Sequence, residues 1–260
     1  MIDIGHNPVV IDNRNESAVM TFWERAATTK WGHYISRMEE QAILRAAFLV
    51  GKPDQALEIG CDGGRWSKLL LDSGWQMTCI DVDPKTLAAC QQKVPTAKCI
   101  LSSPQDETIP SEPDSMGLLL CVEVAPVIQS DWFLPEAYRV LREHGILVGV
   151  FWNRTSLRGF FWRVKHRFAP ARDAAYYNTS YSAWKKNLGR AGFQLVYEEG
   201  FCWSFFGRTS NSPLIPLFTK LERLLQLHRL TAWSPWIVFI ARKIAREREE
   251  QDGSNPAAMS

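Results

Sequence analysis

Short, nearly continuous apolar runs alternate along this chain with segments whose apolar residues recur every three or four positions. The run QALEIG predicts a first strand, GRWSKLLLDSG a helix closed by Gly74, and QMTCIDV a second strand. Asp83 is placed to cap a helix opening on Pro84, a residue suited to the first helical position because it lacks the N–H that would go unpaired there. AKCIL, SMGLLLCVEV and GILVGVFW predict strands three to five. Between the last two, SDWFLPEAYRVLREHG predicts a helix with Ser130 or Asp131 as its cap and Pro135 in its first turn. A helix in SAWKKNLGRAGF ending near Gly192, a sixth strand in FQLVYEEGFCW and a seventh in WIVFIARK follow. Continuous apolar strands between helices are the mark of a parallel sheet covered on both faces.

The flanks depart from this alternation. Residues 1–15 are polar and without period, and from Glu16 to Val50 the spacing of Ile35, Met38, Ala42, Leu44, Ala46 and Leu49 predicts helix up to the breakers Gly51 and Pro53. Two segments read as insertions, 154–180 and 205–234, the second too long for an ordinary connection. The chain therefore divides into an N-terminal helical cap (1–52), a main domain (53–243) carrying both insertions, and a tail (244–260) whose composition predicts disorder.

With 260 residues, 46% of them hydrophobic, the chain can bury one sizeable core. A net charge of +2 lacks the basic field of a dedicated nucleic-acid binder. Six cysteines stand far apart with no C-x-x-C pair, and no secretory leader pattern opens the chain. They are expected to be reduced thiols of a cytoplasmic protein, without a metal site. The apolar runs fall short of a membrane span, and MGLLLCVEVAPVI contains Glu123.

The chemistry concentrates in ALEIGCDGGRW. A glycine-rich turn between strand and helix lets backbone approach a ligand closely, and the start of the helix offers unpaired N–H groups. Asp81, ending the next strand, is placed to accept hydrogen bonds from a ribose diol. A dinucleotide would favour G-x-G-x-x-G, but here Arg65 stands at the third glycine, and Glu58 and Asp62 would repel a pyrophosphate.

LEIGCDGGRW, CIDVDPKTLAAC, QDETIPSEPDSMGLLLCVEV, EAYRVLREHGILVGVFW, GRAGFQLVYEEG and WIVFIARK, in that order, resemble the motifs of the class I S-adenosylmethionine-dependent methyltransferases, in particular the branch acting on small molecules and lipids. The resemblance runs from about Pro53 to Lys243. It implies a doubly wound, Rossmann-like α/β fold with seven strands, the last two forming an antiparallel edge, and S-adenosylmethionine as cofactor. It assigns cofactor contacts to Glu58, Gly60, Cys61, Asp62 and Gly64, with Glu58 and Gly60 at the methionine end. Asp81 matches the ribose-binding acid, Val82 the apolar neighbour of the adenine, and Gln105 or Asp106 the residue that recognises the adenine amino group. Cys121 to Glu123 match the edge facing cofactor sulfur and acceptor, which makes Glu123 the candidate catalytic residue. The family usually has glycine at position 62; Asp tolerates the left-handed backbone such a turn needs.

None of His33, His144, His166 and His228 stands out as a base; His144, before Gly145, is placed as a helix C-terminal cap. In the first insertion, RTSLRGFFWRVKHRFAPAR holds six Arg and Lys residues and no acid, with Phe160, Phe161, Val164 and Phe168 at helical spacing. Such a segment serves as an ordinary lid, or as a contact for an anionic membrane surface or an acidic substrate. Nucleic acid ranks below these, because no RNA-binding module accompanies the patch. The expected activity is methyl transfer to a small-molecule or lipid-like acceptor; the alternative is a non-catalytic cofactor-binding subunit or membrane-associated partner of the same fold.

Overall fold

The computed structural model describes residues 20–167 and 175–245. The stretches expected to be loose at either end, and Phe168 to Arg172 of the first insertion, lie outside the described residues. Where one helical run was expected up to Val50, two helices stand, α1 (Phe22–Ala27) and α2 (Lys30–Val50). Threonines make the break. Thr21 caps α1 in a reciprocal box with Glu24, and the Thr29 hydroxyl accepts the Gly32 N–H at 3.1 Å to start α2. The helices cross so closely that a Cβ on Gly32 would sit 1.8 Å from the Ala26 carbonyl oxygen.

The strands are β1 (Gln55–Ile59), β2 (Gln76–Asp81), β3 (Lys98–Leu101), β4 (Met116–Cys121), β5 (Leu141–Trp152), β6 (Phe193–Phe201) and β7 (Trp236–Lys243). They form one sheet in the order β3-β2-β1-β4-β5-β7-β6. The first five are parallel, and β7 runs antiparallel between β5 and β6. The doubly wound seven-stranded α/β fold is thus the observed one. Alternation along each strand feeds two cores. Ala56, Leu118, Leu120, Val148 and Ile240 face α2, α3 (Arg65–Asp72) and α4 (Pro84–Lys93). Leu57, Leu119, Leu147 and Phe239 face α5 (Ala125–Ile128), α6 (Phe133–Val140) and α8 (Tyr181–Arg190). Asp83 caps α4 as its sequence predicts, accepting the Lys85 N–H at 2.8 Å.

One helix ends earlier than its pattern suggests. α6 begins after Trp132, with neither Ser130 nor Asp131 as cap, and stops at Val140; Leu141 to Gly145 belong to β5, and His144 has a left-handed φ of 61° within the strand. The reason is tertiary. Its last carbonyls are claimed from elsewhere: Arg139 by the Asp114 N–H, Val140 by the Ser115 N–H, and Tyr138 and Leu141 by the Lys243 ammonium at 2.8 and 2.7 Å. Lys243 also pairs with Asp114 at 2.6 Å, so the buried cation is fully committed.

The insertions carry α7 (Leu157–Lys165) and α9 (Ile215–Leu224). No helix among the described residues is long and apolar enough to cross a membrane. After α8, Gly192 adopts φ 95°, and a Cβ there would lie 2.5 Å from the Tyr138 ring. Gly192→Ala is therefore expected to lower unfolding free energy by about 1–3 kcal/mol through strain and overlap, read as a lower urea midpoint at unchanged slope.

Candidate functional site

The C-terminal ends of β1, β2 and β4 open on a cavity of about 600 Å³. This is where chain direction across the sheet reverses, the place where open α/β sheets bind ligands. The turn after β1 forms its floor. Gly60 takes φ 71°, and a Cβ there would meet Val124 at 2.3 Å, so only glycine fits between strand ends. Gly64 opens α3 at φ 76°, where a Cβ would lie 2.7 Å from the Cys90 sulfur.

Asp81 organises this turn. One carboxylate oxygen accepts the Asp62 N–H at 2.8 Å and the other the Asp83 N–H at 3.0 Å. Each oxygen keeps a second lone pair for a ligand. Asp62 itself has φ 47°, in the left-handed region, as expected of Asp at a glycine position. Its side chain accepts a hydrogen bond from the Thr21 hydroxyl, the capping group of α1. Gly63 lies against the same turn, where a Cβ would be 2.9 Å from Thr21. Glu24 of α1 pairs with Lys93 at the end of α4. The first helix is thereby clamped on the loop, and its Trp23 becomes a wall of the cavity.

Of the residues singled out from sequence, Glu58, Gly60, Cys61, Asp62, Asp81, Val82, Asp106 and Glu123 line the cavity. Gly64, Gln105 and Cys121 do not. Gly64 is the hinge into the helix and Cys121 is fully buried behind the strand end. Gln105 points into its own loop, on the Ser103 hydroxyl at 2.5 Å, whereas Asp106 accepts from Ser102 at 2.8 Å and from the Ser103 N–H at 2.7 Å. Those bonds hold the Asp106 carboxyl below its usual range.

Several lining residues carry no sequence signal of their own: Trp66, Trp132, and above all Trp152 and Tyr176. Trp152 ends β5 and stacks on Trp236 (4.7 Å, 8°) and on Tyr176 of the first insertion (5.0 Å, 27°). Arg208, from the second insertion, forms an ion pair with Glu123 and lies over the rings of Trp23 (4.0 Å) and Trp236 (4.9 Å). Burial lowers its pKa to about 9, against the field of Glu39. Glu123 has a strained φ of 61° at the end of β4.

Residues 57–149 match a protein family described as methyltransferase domain. An uncharacterized methyltransferase-like protein of Schizosaccharomyces pombe is 29% identical over 107 residues, 41% of either chain, so the match spans about two-fifths of that relative. Among solved structures, a methyltransferase from Thermotoga maritima superposes with a TM-score of 0.51 at 16% identity, over 81% of this chain and 92% of that one. Geranyl diphosphate C-methyltransferase from Streptomyces coelicolor superposes at 0.59 and 11% identity, over 82% and 79%. The chain thus shares the fold of these solved methyltransferases, and its residues 57–149 match the methyltransferase-domain family.

Glu58 is wholly buried, and desolvation pushes its carboxyl up to about 8 from an ordinary 4.5, the Ser67 hydroxyl opposing the rise. A carboxyl that binds its proton more tightly when folded contributes stability below its unfolded value and loses it as pH rises through about 8. Ligand-free Glu58→Gln is expected to lack this loss. Relative to the variant, wild type should fall by about 4 kcal/mol between pH 5 and pH 9 in denaturant titrations; parallel curves would show that Glu58 is ionised throughout.

Proposed function

We propose that this protein transfers the methyl group of S-adenosylmethionine to a small-molecule or lipid-like acceptor. The observation that carries the reading is the site's charge and shape together. Asp62, Asp81, Asp83, Asp106 and Glu123 line the cavity, and the cations Arg65 and Arg208 are already paired, Arg65 with Glu39 at 3.2 Å and Arg208 with Glu123. An acid-lined, glycine-floored cavity suits a sulfonium cation and disfavours a pyrophosphate. By the same argument a diphosphate acceptor, of the kind named for the Streptomyces coelicolor enzyme, finds little to hold it here. Asp81 would hold the ribose, Val82 and Asp106 the adenine side, and Glu58 and Gly60 the methionine end. The bound cofactor supplies an electrophilic methyl carbon, and the chain's task is alignment.

Asp81→Ala is expected to weaken S-adenosylhomocysteine binding by about 1.5–3 kcal/mol, the worth of lost charged hydrogen bonds. Calorimetry checks it, with Asp81→Asn intermediate. Unchanged affinity would refute the placement.

The insertions supply the second part of the reading, contact with an anionic membrane surface. Leu157, Phe160, Phe161 and Val164 of α7 are all exposed, while Trp162 and the buried Gly159 seat the opposite side of the helix on the domain. Phe161 meets Phe205 edge to face at 5.9 Å, joining α7 to the second insertion, where Leu217, Phe218, Leu221 and Leu224 are exposed in turn. Apolar surface on this scale is a mark of an interaction site. Residues 154–180 and 205–234 hold ten Lys and Arg against two acids, and the rest of the chain twenty against twenty-six. Basic charge around exposed aromatics suits anionic headgroups. Phe160→Ser with Phe161→Ser is expected to reduce sedimentation with phosphatidylserine vesicles about tenfold while S-adenosylhomocysteine affinity stays constant. Equal sedimentation of wild type and variant would remove the membrane from the reading.

A further inference from the structure

Four of the six cysteines come together in the fold. Cys79 on β2 and Cys99 on β3 are register partners in adjacent parallel strands, so their side chains leave the same face of the sheet. Cys90 faces them from α4, which packs on both strands. The sulfur atoms of these three lie within 4.8 Å of one another. The Cys61 thiol, from the turn after β1, adjoins those of Cys79 and Cys90. No C-x-x-C spacing announces the group, because the sheet and not the sequence gathers its members.

A buried cysteine is ordinarily a small apolar residue, and Cys121 and Cys202, wholly buried elsewhere, fit that role. The other four form a group, and their surroundings are shaped around sulfur. Gly64 leaves the room that Cys90 fills, since a Cβ there would stand 2.7 Å from its sulfur. The Ser67 hydroxyl lies 3.0 Å from the Cys79 sulfur. Cys61, Cys79 and Cys90 are buried, while Cys99 is half-buried on the edge strand of the sheet. No other set of histidine, cysteine and acidic side chains among the described residues brings three ligand atoms so close.

We propose that Cys61, Cys79, Cys90 and Cys99 form a binding site for one zinc ion, which staples the turn after β1 to β2, β3 and α4. Geometry and ligand count carry the assignment. Three points no more than 4.8 Å apart lie within about 2.8 Å of a common centre, and a zinc–thiolate bond is about 2.3 Å, so closure asks about 0.5 Å of each sulfur. Cys61 supplies the fourth member of the tetrahedral, all-thiolate set that structural zinc takes. A set of soft thiolates with no oxygen ligand disfavours magnesium, calcium and manganese. Binding is a ligand exchange without oxidation: four S–H groups release their protons to water and four sulfur–zinc bonds form. Zinc offsets two of the four thiolate charges, and the edge position of Cys99 keeps the remainder close to solvent. Cys61 also lines the cavity, so the ion gives the turn a second anchor besides Asp81. The site stands whether or not the chain transfers methyl groups.

The test uses the full chain, without a histidine tag, purified with a phosphine reductant so that the thiols stay reduced. Metal-free protein is titrated with zinc against a chromophoric chelator, and the zinc retained after dialysis is measured by mass spectrometry. One zinc per chain is expected, and cobalt(II) in its place should give the intense sulfur-to-metal charge-transfer absorption of a tetrahedral thiolate site. Cys90→Ala with Cys99→Ala keeps small apolar side chains at both positions and should abolish zinc retention and the cobalt band. Cys61→Ala alone should weaken zinc at least as much as loss of an outer hydrogen-bond partner does, about 100-fold. Cys121→Ala, outside the group, should keep the wild-type zinc content. Wild-type protein that takes up no zinc and gives no thiolate band with cobalt overturns the proposal. So does zinc retained by the folded double variant, because the ion then sits elsewhere, or undiminished zinc affinity in Cys61→Ala, which removes the fourth ligand. If the double variant does not fold, the wild-type titration and Cys61→Ala decide. S-adenosylhomocysteine affinity, measured separately, bears only on the methyltransferase reading.

Discussion

A single carboxylate holds both sides of the glycine turn after β1. Asp81 takes the N–H of Asp62 from the loop after β1 and that of Asp83 from the start of α4. Charge-assisted hydrogen bonds to backbone are among the stronger ones a protein makes. They fix the left-handed conformation of Asp62, and through it everything stacked above. Asp62 holds Thr21, Thr21 caps α1, and α1 brings Trp23 to the cavity wall and to the face of Arg208. The roof of the site is thus a continuation of its floor, linked by hydrogen bonds and ring contacts rather than by a hinge.

This explains why Asp replaces the glycine usual in such turns. Glycine would accept the backbone geometry at no cost, but it has no side chain with which to engage the N-terminal helix. The same economy shows in Arg208. It lies far along the chain from Glu123, yet one ion pair and two ring contacts join the end of β4, α1 and β7 around it.

Much of this could be read in the chain beforehand. Each of the seven strands and the Gly60–Gly64 turn followed from local patterning, and so did the cap of α4 by Asp83. What could not be read depended on distant partners. The periodicity of SDWFLPEAYRVLREHG runs on past Val140, but Asp114, Ser115 and Lys243 take the carbonyls that would continue the helix. Thr28 and Thr29 look like any polar face residues until Gly32 is seen against Ala26. Trp152 ends an ordinary buried strand, and nothing local marks its N–H as lacking a partner. The loop SSPQDETIP admitted two registers, and only its folded position, with Asp106 on the cavity wall and Gln105 outside it, tells the two residues apart.

The place of β7 in the sheet has a consequence for biosynthesis. It is the last strand to be made and yet it lies between β5 and β6. Until residues 236–243 leave the ribosome, β5 and β6 each present an open edge with unpaired backbone groups, the surface most prone to pair with another chain. The end of α6 waits for the same event, because Lys243 supplies two of its carbonyl partners. A nascent chain stalled before β7 would therefore hold a formed glycine turn beside a half-built sheet with two open edges.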